Sequence, residues 1–126
     1  MPTLRIEIAG KIPSKKNQLV PRRDGRGYFN PESRRLADIV AQICEVTGNL
    51  QPVSPSEIRI HLRLPRTNMD IDNRAVTIMD CLVKSGIIID DSIRHFRGPL
   101  IVTGEKTDTN NEGASVTIIG EHYGQI

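Results

Sequence analysis

The sequence predicts an α+β domain in which a mixed β-sheet of about four or five strands carries two packed helices, in the order β-α-β-α-β-β-β. Two segments, 3–9 and 57–64, alternate apolar and polar residues with the period of a half-buried strand. Two other segments, beginning near residues 31 and 72, repeat apolar residues at helical spacing. A chain of 126 residues suffices for one core and is too short for two ordinary ones, so residues 1–126 are expected to form a single domain.

The first half of the chain is predicted as a strand, a long loop and a helix. The loop, 10–30, is rich in proline, glycine and basic residues, and a loop of about twenty residues is unusual in a small domain without a function. Tyr28 and Phe29 at its end could contact an unstacked base, but core packing is the expected role. Asn30 suits the cap of a helix that should end near Gly48.

The second half begins with a connector that contains Pro52 and Pro55, followed by the clearest strand, 57–64. Asp72 can cap the second helix, and Gly86 is a typical C-terminal stop. Three further strands are then expected. They are a short buried strand, Ile87–Ile89, and two segments, 93–102 and 114–121, which should pair as a long hairpin.

Positive charge is concentrated near the N-terminus, although the net charge of the chain is only +2. The segment 5–35 carries nine of the 17 basic residues against three acids. Such a basic segment suits a phosphate-binding surface, and a solvated arm that binds nothing is an equally good interpretation of charge alone. The candidate phosphate contacts are Lys11, Lys15, Lys16, Arg22, Arg23 and Arg26.

Composition excludes several classes of protein. Aromatic residues make up only 3% and tryptophan is absent, which disfavours a single-strand binder that stacks bases on aromatic side chains. Cys44 and Cys81 fit no metal motif and are expected to be structural thiols of a reduced, cytoplasmic protein. We expect no signal peptide and no membrane segment, because no apolar run is long enough for either.

Aspartates stand at both ends of the segment that contains the second helix. Asp70 and Asp72 come at its start, and Asp90 and Asp91 follow the chain's return from Gly86. The helix should span about 20 Å. Three or four extended residues cover only about 10–13 Å, so convergence requires a tilted helix or acids on its flank. The simpler alternative is that Asp72 is a helix cap and that Asp90 and Asp91 belong to a turn.

Converging carboxylates would suit a divalent cation. Close carboxylates repel one another unless a positive charge lies between them, and Mg²⁺ prefers oxygen ligands, often few of them from the protein. A bound Mg²⁺ can polarise a phosphodiester and stabilise its leaving oxygen. Acids beside a basic loop are therefore the arrangement expected of an enzyme that hydrolyses a polyanion.

Three motifs occur in order within the segment 70–91, DIDNRAVTIMDCLVKSGIIIDD. They are D-x-D-N at 70–73, D-x-L-x-K-x-G at 80–86 and D-D at 90–91. This combination resembles the signature of RusA-type Holliday junction resolvases, and the loop PSKKN at 13–17 is similar to the loop after that family's first strand. Chain length and element order are compatible with the resemblance over nearly the whole sequence.

The resemblance implies a homodimeric endonuclease that depends on Mg²⁺, with Mn²⁺ as a substitute, and resolves four-way junctions in DNA recombination and repair. The implied metal ligands and catalytic residues are Asp70, Asp72 and Asp91, with Asp90 close by. Asn73 would support them, and the basic loop, including Asn17, would bind DNA. Such enzymes are common on phages and prophages.

One position departs from the family pattern. The family usually has a lysine three residues after the motif's asparagine, and here that residue is Val76. A lysine there could offer its charge to the scissile phosphate, whereas valine cannot. Lys15, Lys16 or Lys84 could compensate. Otherwise the chain is a slow or inactive junction-binding relative, and a metal nuclease acting on other branched DNA is the third alternative.

Overall fold

The computed structural model describes residues 2–14, 20–48 and 50–122. The elements, in chain order, are β1 (Thr3–Ala9), β2 (Val20–Pro21), β3 (Tyr28–Phe29), α1 (Ser33–Thr47), β4 (Val53–Leu64), α2 (Asp72–Ser85), β5 (Leu100–Lys106) and β6 (Gly113–His122). A short 3-10 turn, Thr109–Asn111, precedes β6. None of the helices in the described ranges has the length and apolar character needed to span a bilayer.

Four strands form the main sheet in the order β1-β6-β4-β5. β5 runs parallel to β4, while β6 runs antiparallel to both β4 and β1, so the sheet is mixed. One hydrophobic core joins the sheet to both helices. Apolar side chains of β4 such as Ile60 and Leu62 pack in it with Ile43 of α1 and with Ile78 and Leu82 of α2. The predicted α+β class, with two helices on a mixed sheet, is confirmed.

The predicted hairpin between the last two strands is wrong. β5 and β6 do not pair with each other, because each pairs with β4 from opposite sides. A parallel β4–β5 pair requires a crossover connection, which α2 supplies. In β6 the alternate residues Ala114, Val116 and Ile118 are completely or almost completely buried, as suits an inner strand, whereas β5 is largely exposed at the edge.

The predicted strand Ile87–Ile89 is also wrong. Ile87 and Ile88 are buried, but the chain bends there instead of joining the sheet, and the Ile87 carbonyl accepts one hydrogen bond from the Val53 N–H at 2.7 Å. The apolar run Ile87–Ile89 therefore indicates burial, but not hydrogen-bonded pairing with a strand of the sheet. Likewise, the predicted strand 93–102 begins only at Leu100, because residues 92–96 form a helical turn in which the Phe96 N–H donates to the Ser92 carbonyl at 2.8 Å.

The C-terminal ends of the two helices were predicted correctly, whereas their N-terminal caps were not. α1 ends before Gly48 and α2 before Gly86, as expected, and Gly86 has the left-handed conformation that favours glycine (φ 86°). Asn30 and Asp72 are not the caps. Asp72 is the first residue of α2, and Asn30 instead accepts a hydrogen bond from the Glu32 N–H at 2.8 Å in the turn before α1.

The predicted 10–30 loop contains a small hairpin formed by β2 and β3. Tyr28 and Phe29 lie on it with 68% and 44% of their surface exposed, so the expected core packing is wrong. Strands of two residues, paired only with each other, bring no side chain into the main core. β4 also begins four residues earlier than predicted, with Pro55 inside the strand next to an irregularity in its pairing.

Candidate functional site

The edge strand β5 positions the start of α2. The loop after β4 leads to Ile71, which lies between Asp70 and Asp72 in the sequence and packs over Gly104 of β5. A Cβ atom added to Gly104 would stand only 2.9 Å from Cγ2 of Ile71. Glycine at this position therefore makes room for the residue that separates the two aspartates.

Asp72 and Asp91 line the same groove, whose volume is about 540 Å³. Both residues are exposed. The chain therefore leaves the groove along α2 and returns to it through the bend at 87–89, which provides the convergence expected from the sequence for these two acids. The apolar part of the groove is formed by Ile71, Ala75, Val76, Met79, Ile93, Phe96, Leu100 and Val102.

Asp70 is held by the first turns of α2. Its Oδ2 accepts a hydrogen bond from Asn73 Nδ2 at 2.7 Å, and its Oδ1 forms an ion pair with Arg74. The Arg74 Nη1 also donates to the Asp70 carbonyl at 3.0 Å. Because the Arg74 side chain is only 12% exposed, Asp70 has a largely buried cation as its neighbour. The buried Nε of Arg74 has no hydrogen-bond acceptor among the described residues.

Asp90 is held by the turn that follows it. It accepts hydrogen bonds from the Ser92 hydroxyl at 2.6 Å and the Ser92 N–H at 2.9 Å, and His95 Nδ1 lies 2.9 Å from its Oδ2. These hydrogen bonds, those from Ser92 foremost, lower the pKa of Asp90 to about 2. Asp90 thus stabilises the turn beside Asp91.

No three carboxylate, imidazole or thiol groups within residues 2–14, 20–48 and 50–122 form a ready-made metal cluster. The structure brings Asp72 and Asp91 to one groove, while Asp70 and Asp90 are engaged with other side chains. Two carboxylates are nevertheless a suitable donor set for Mg²⁺, which usually binds one or two protein carboxylates and completes its shell with water and substrate phosphate.

Arg97 is the cation that lines this groove, together with Val76, Asp72 and Asp91. Its side chain is exposed and has no ion pair to any described residue. Lys84, one of the lysines proposed to compensate for Val76, lies in the last turn of α2, about 12 Å along the helix axis from position 76. A positive charge is therefore present in the groove, but it comes from the loop before β5.

The basic loop is tied to α2 at its beginning, because the Thr77 hydroxyl donates to the Pro13 carbonyl at 2.7 Å. Of its predicted phosphate contacts, Lys11 pairs with Glu32 at 2.9 Å and Arg22 pairs with Asp24 at 3.5 Å. Arg23 and Arg26 are exposed, and their side chains make no ion pair with a described residue. The predicted contacts Lys15, Lys16 and Asn17 lie outside the described residues.

Three exposed cations lie in or beside the groove: Arg66, Arg97 and Lys106. Arg97 belongs to the run Arg94–Arg97, for which the sequence leaves open either a solvated strand face or a second phosphate contact. Nothing in the sequence indicated that Arg66 and Lys106 would lie there. Their proximity depends on the parallel pairing of β4 and β5, in which Leu64 stands opposite Lys106.

The sequence matches no protein-family model and no curated protein. The functional proposal therefore rests on the residues of the groove and on their geometry.

Proposed function

We propose that this chain is a metal-dependent endonuclease, similar to RusA-type resolvases, that hydrolyses phosphodiester bonds in four-way DNA junctions. The observation that carries the proposal is the groove shared by Asp72 and Asp91. These acids come from the two ends of the α2 segment and leave their carboxylates free of any cationic partner among the described residues. The motif resemblance of segment 70–91 supports the same activity.

Asp72 and Asp91 would hold Mg²⁺, or Mn²⁺ in its place, in the groove. The bound ion would supply positive charge that favours attack of water on the phosphodiester and stabilises the leaving oxygen. Asn73 and Arg74 orient Asp70 at the edge of this site, so that one of its oxygens can serve as a further ligand when Arg74 moves. Asp90 orients the turn that presents Asp91.

Arg97, which lines the same groove, would contact the substrate phosphate. A guanidinium group binds phosphate oxygens in a bidentate manner, which suits it to hold the scissile phosphate near the carboxylates. Its place in the groove compensates for Val76, which has no charge to offer. The proposed site is thus two carboxylates and one arginine around a largely apolar floor.

We further propose that the protein acts as a homodimer, because two symmetric cuts in one junction require two sites. We place this activity in the cytoplasm. Light scattering on the complex with a four-way junction checks the homodimer. Two chains per junction are expected, and a single bound chain would contradict the proposal.

The decisive experiment incubates the pure protein with a labelled four-way junction in Mg²⁺ and compares it with Asp72→Asn and Asp91→Asn. Cleavage by the wild type is expected to fall by about a hundredfold or more in each variant, since even the outer partners of metal ligands are worth 10- to 100-fold. Glu45→Gln is the matched control, because it removes an exposed carboxylate of α1 that pairs with no cation among the described residues. No cleavage at protein excess in either Mg²⁺ or Mn²⁺ would refute the nuclease.

A second candidate is a protein that holds junctions without cutting them. Two observations favour it: Val76 lies in the groove without a charge, and Arg74 already neutralises Asp70. Junction binding without cleavage would support this alternative. Cleavage of four-way junctions, flaps and plain duplex should also be compared. Preferential cleavage of flaps would indicate a nuclease for other branched DNA rather than either candidate.

A further inference from the structure

Two clefts with exposed arginine or lysine side chains flank the groove of Asp72 and Asp91. The first, of about 250 Å³, contains Arg66 and Lys106. The second, of about 780 Å³, contains Arg94 and shares Ile93 and Arg97 with the groove. We call them the Arg66 cleft and the Arg94 cleft.

None of these four cations has an ion pair or hydrogen-bonded acid among the described residues, whereas many other arginines of the chain are paired. The acid of the Arg66 cleft, Glu105, is engaged elsewhere: its Oε1 lies 3.2 Å from His61 Nε2. The acid nearest the Arg94 cleft along the chain is Asp91, which lines the groove, and Asp90 before it accepts hydrogen bonds from Ser92. The four cations are therefore not paired with an acid among the described residues and are available to a ligand.

β5 sets the order of the three sites. Leu100 and Val102 line the groove, and Gly104 and Lys106 line the Arg66 cleft, so the two follow one another along the same strand. The Arg94 cleft adjoins the groove through Ile93 and Arg97, which belong to the loop that precedes β5. From Leu100 to Lys106 the strand extends about 20 Å at 3.3 Å per residue.

We propose that one strand of a DNA arm lies along β5, with its scissile phosphate in the groove and the flanking phosphates in the Arg66 and Arg94 clefts. The inference rests on the proposed function and adds its substrate contacts. The carboxylates at the centre repel phosphate without a metal ion, and the two clefts supply the attraction that holds the strand across them.

The test measures binding of a fluorescent four-way junction by anisotropy, in EDTA so that no cleavage occurs, at 50–200 mM salt. Arg66→Gln with Lys106→Gln removes two flanking phosphate contacts, and Arg94→Gln removes one; Arg97 is left unchanged because it also lines the groove of the scissile phosphate. The slope of log affinity against log salt should fall by about 1.8 in the double variant and by about 0.9 in the single variant, since each contact contributes about 0.9. The affinity ratio of wild type to variant then changes about tenfold across this salt range for the double variant and about threefold for Arg94→Gln.

The matched control is Arg5→Gln with Arg34→Gln. It removes positive charge from two exposed arginines that have no ion pair within the described part of the chain, one on β1 at the far edge of the sheet and one on α1. The control should keep the wild-type slope, and circular dichroism should show that all variants are folded. An unchanged slope in the cleft variants, or an equal loss in the control, would overturn the inference while leaving junction cleavage intact. A wild type that neither binds nor cuts junctions would instead refute the proposed function.

Discussion

At the scale of single residues, the pKa of Asp90 can be tested most directly. Its pKa is lowered to about 2 mainly because Ser92 donates two hydrogen bonds to the ionised carboxylate. A carboxyl group with a lowered folded-state pKa contributes stability that is complete above its unfolded value, 3.8, and is lost as the pH falls through 2. In the metal-free protein, Ser92→Ala should therefore raise the pKa of Asp90 toward 3.8 and reduce that contribution.

A carbon-detected NMR titration of the Asp90 carboxyl group measures this shift directly. Ser54→Ala is the control, since Ser54 is an exposed serine of β4 far along the chain from Asp90. An Asp90 that titrates near 2 in Ser92→Ala would show that the Ser92 hydroxyl does not hold the charged form, since the Ser92 N–H remains in that variant.

Arg97 and Val76 together test where the groove obtains its positive charge. Arg97→Gln should lower junction cleavage by about 10- to 100-fold, because a charged hydrogen-bond donor to the phosphate is lost. Adding Val76→Lys to that variant places a cation at another residue that lines the same groove and should restore part of the activity. Single-turnover cleavage rates check both steps. If Arg97→Gln cuts at the wild-type rate, Arg97 has no role at the scissile phosphate.

At the residue scale, the sequence predicted which acids lie together better than it predicted their hydrogen-bond and ion-pair partners. Asp72 and Asp91 were expected together and do line one groove. The pairing of Asp70 with Arg74 was not anticipated, because a side chain at i+4 on a helix can turn either to its neighbour or to solvent. The packing around Arg74 decides whether its side chain turns to Asp70 or to solvent.

At the element scale, helix extents followed local rules while strand pairing did not. α2 occupies the predicted residues because its apolar spacing and Gly86 act within the segment itself. The partner of β5 depends instead on distant residues of β4, and β6 inserts between strands that precede it in the chain. Periodicity shows that a strand has a buried face, but it does not determine which other strand pairs with it.

Gly104 tests how β5 supports the start of α2. Gly104→Ala places a methyl group about 2.9 Å from Cγ2 of Ile71, so one of the two must shift. We expect a loss of about 1–3 kcal/mol in the free energy of unfolding, as for other overpacked sites, and weaker Mn²⁺ binding because Asp70 and Asp72 flank Ile71. Urea denaturation and metal titration measure the two effects.

The double variant Ile71→Ala with Gly104→Ala distinguishes this contact from a general effect of the new methyl group. Removing the Ile71 side chain eliminates the clash, so the cost of Gly104→Ala should be smaller in that background. An equal cost in both backgrounds would show that Gly104 does not act through Ile71.

At the scale of the whole molecule, the proposed metal site should couple to the stability of the fold. Asp72 and Asp91 are 19 residues apart in the chain, so the unfolded protein does not hold them together and the ion binds the folded state selectively. If the ion is present at about ten times its dissociation constant, it stabilises the folded protein by about 1.4 kcal/mol, which raises the Tm by about 5 °C for a domain of this size.

Thermal denaturation in EDTA and in increasing Mn²⁺ checks this coupling. Asp72→Asn and Asp91→Asn should each abolish most of the metal-dependent rise in Tm, while Glu45→Gln should keep it. In EDTA the two aspartate variants should be at least as stable as the wild type, because each removes one of the two like charges that line the groove. A rise in Tm that survives both substitutions would place the bound ion elsewhere on the protein.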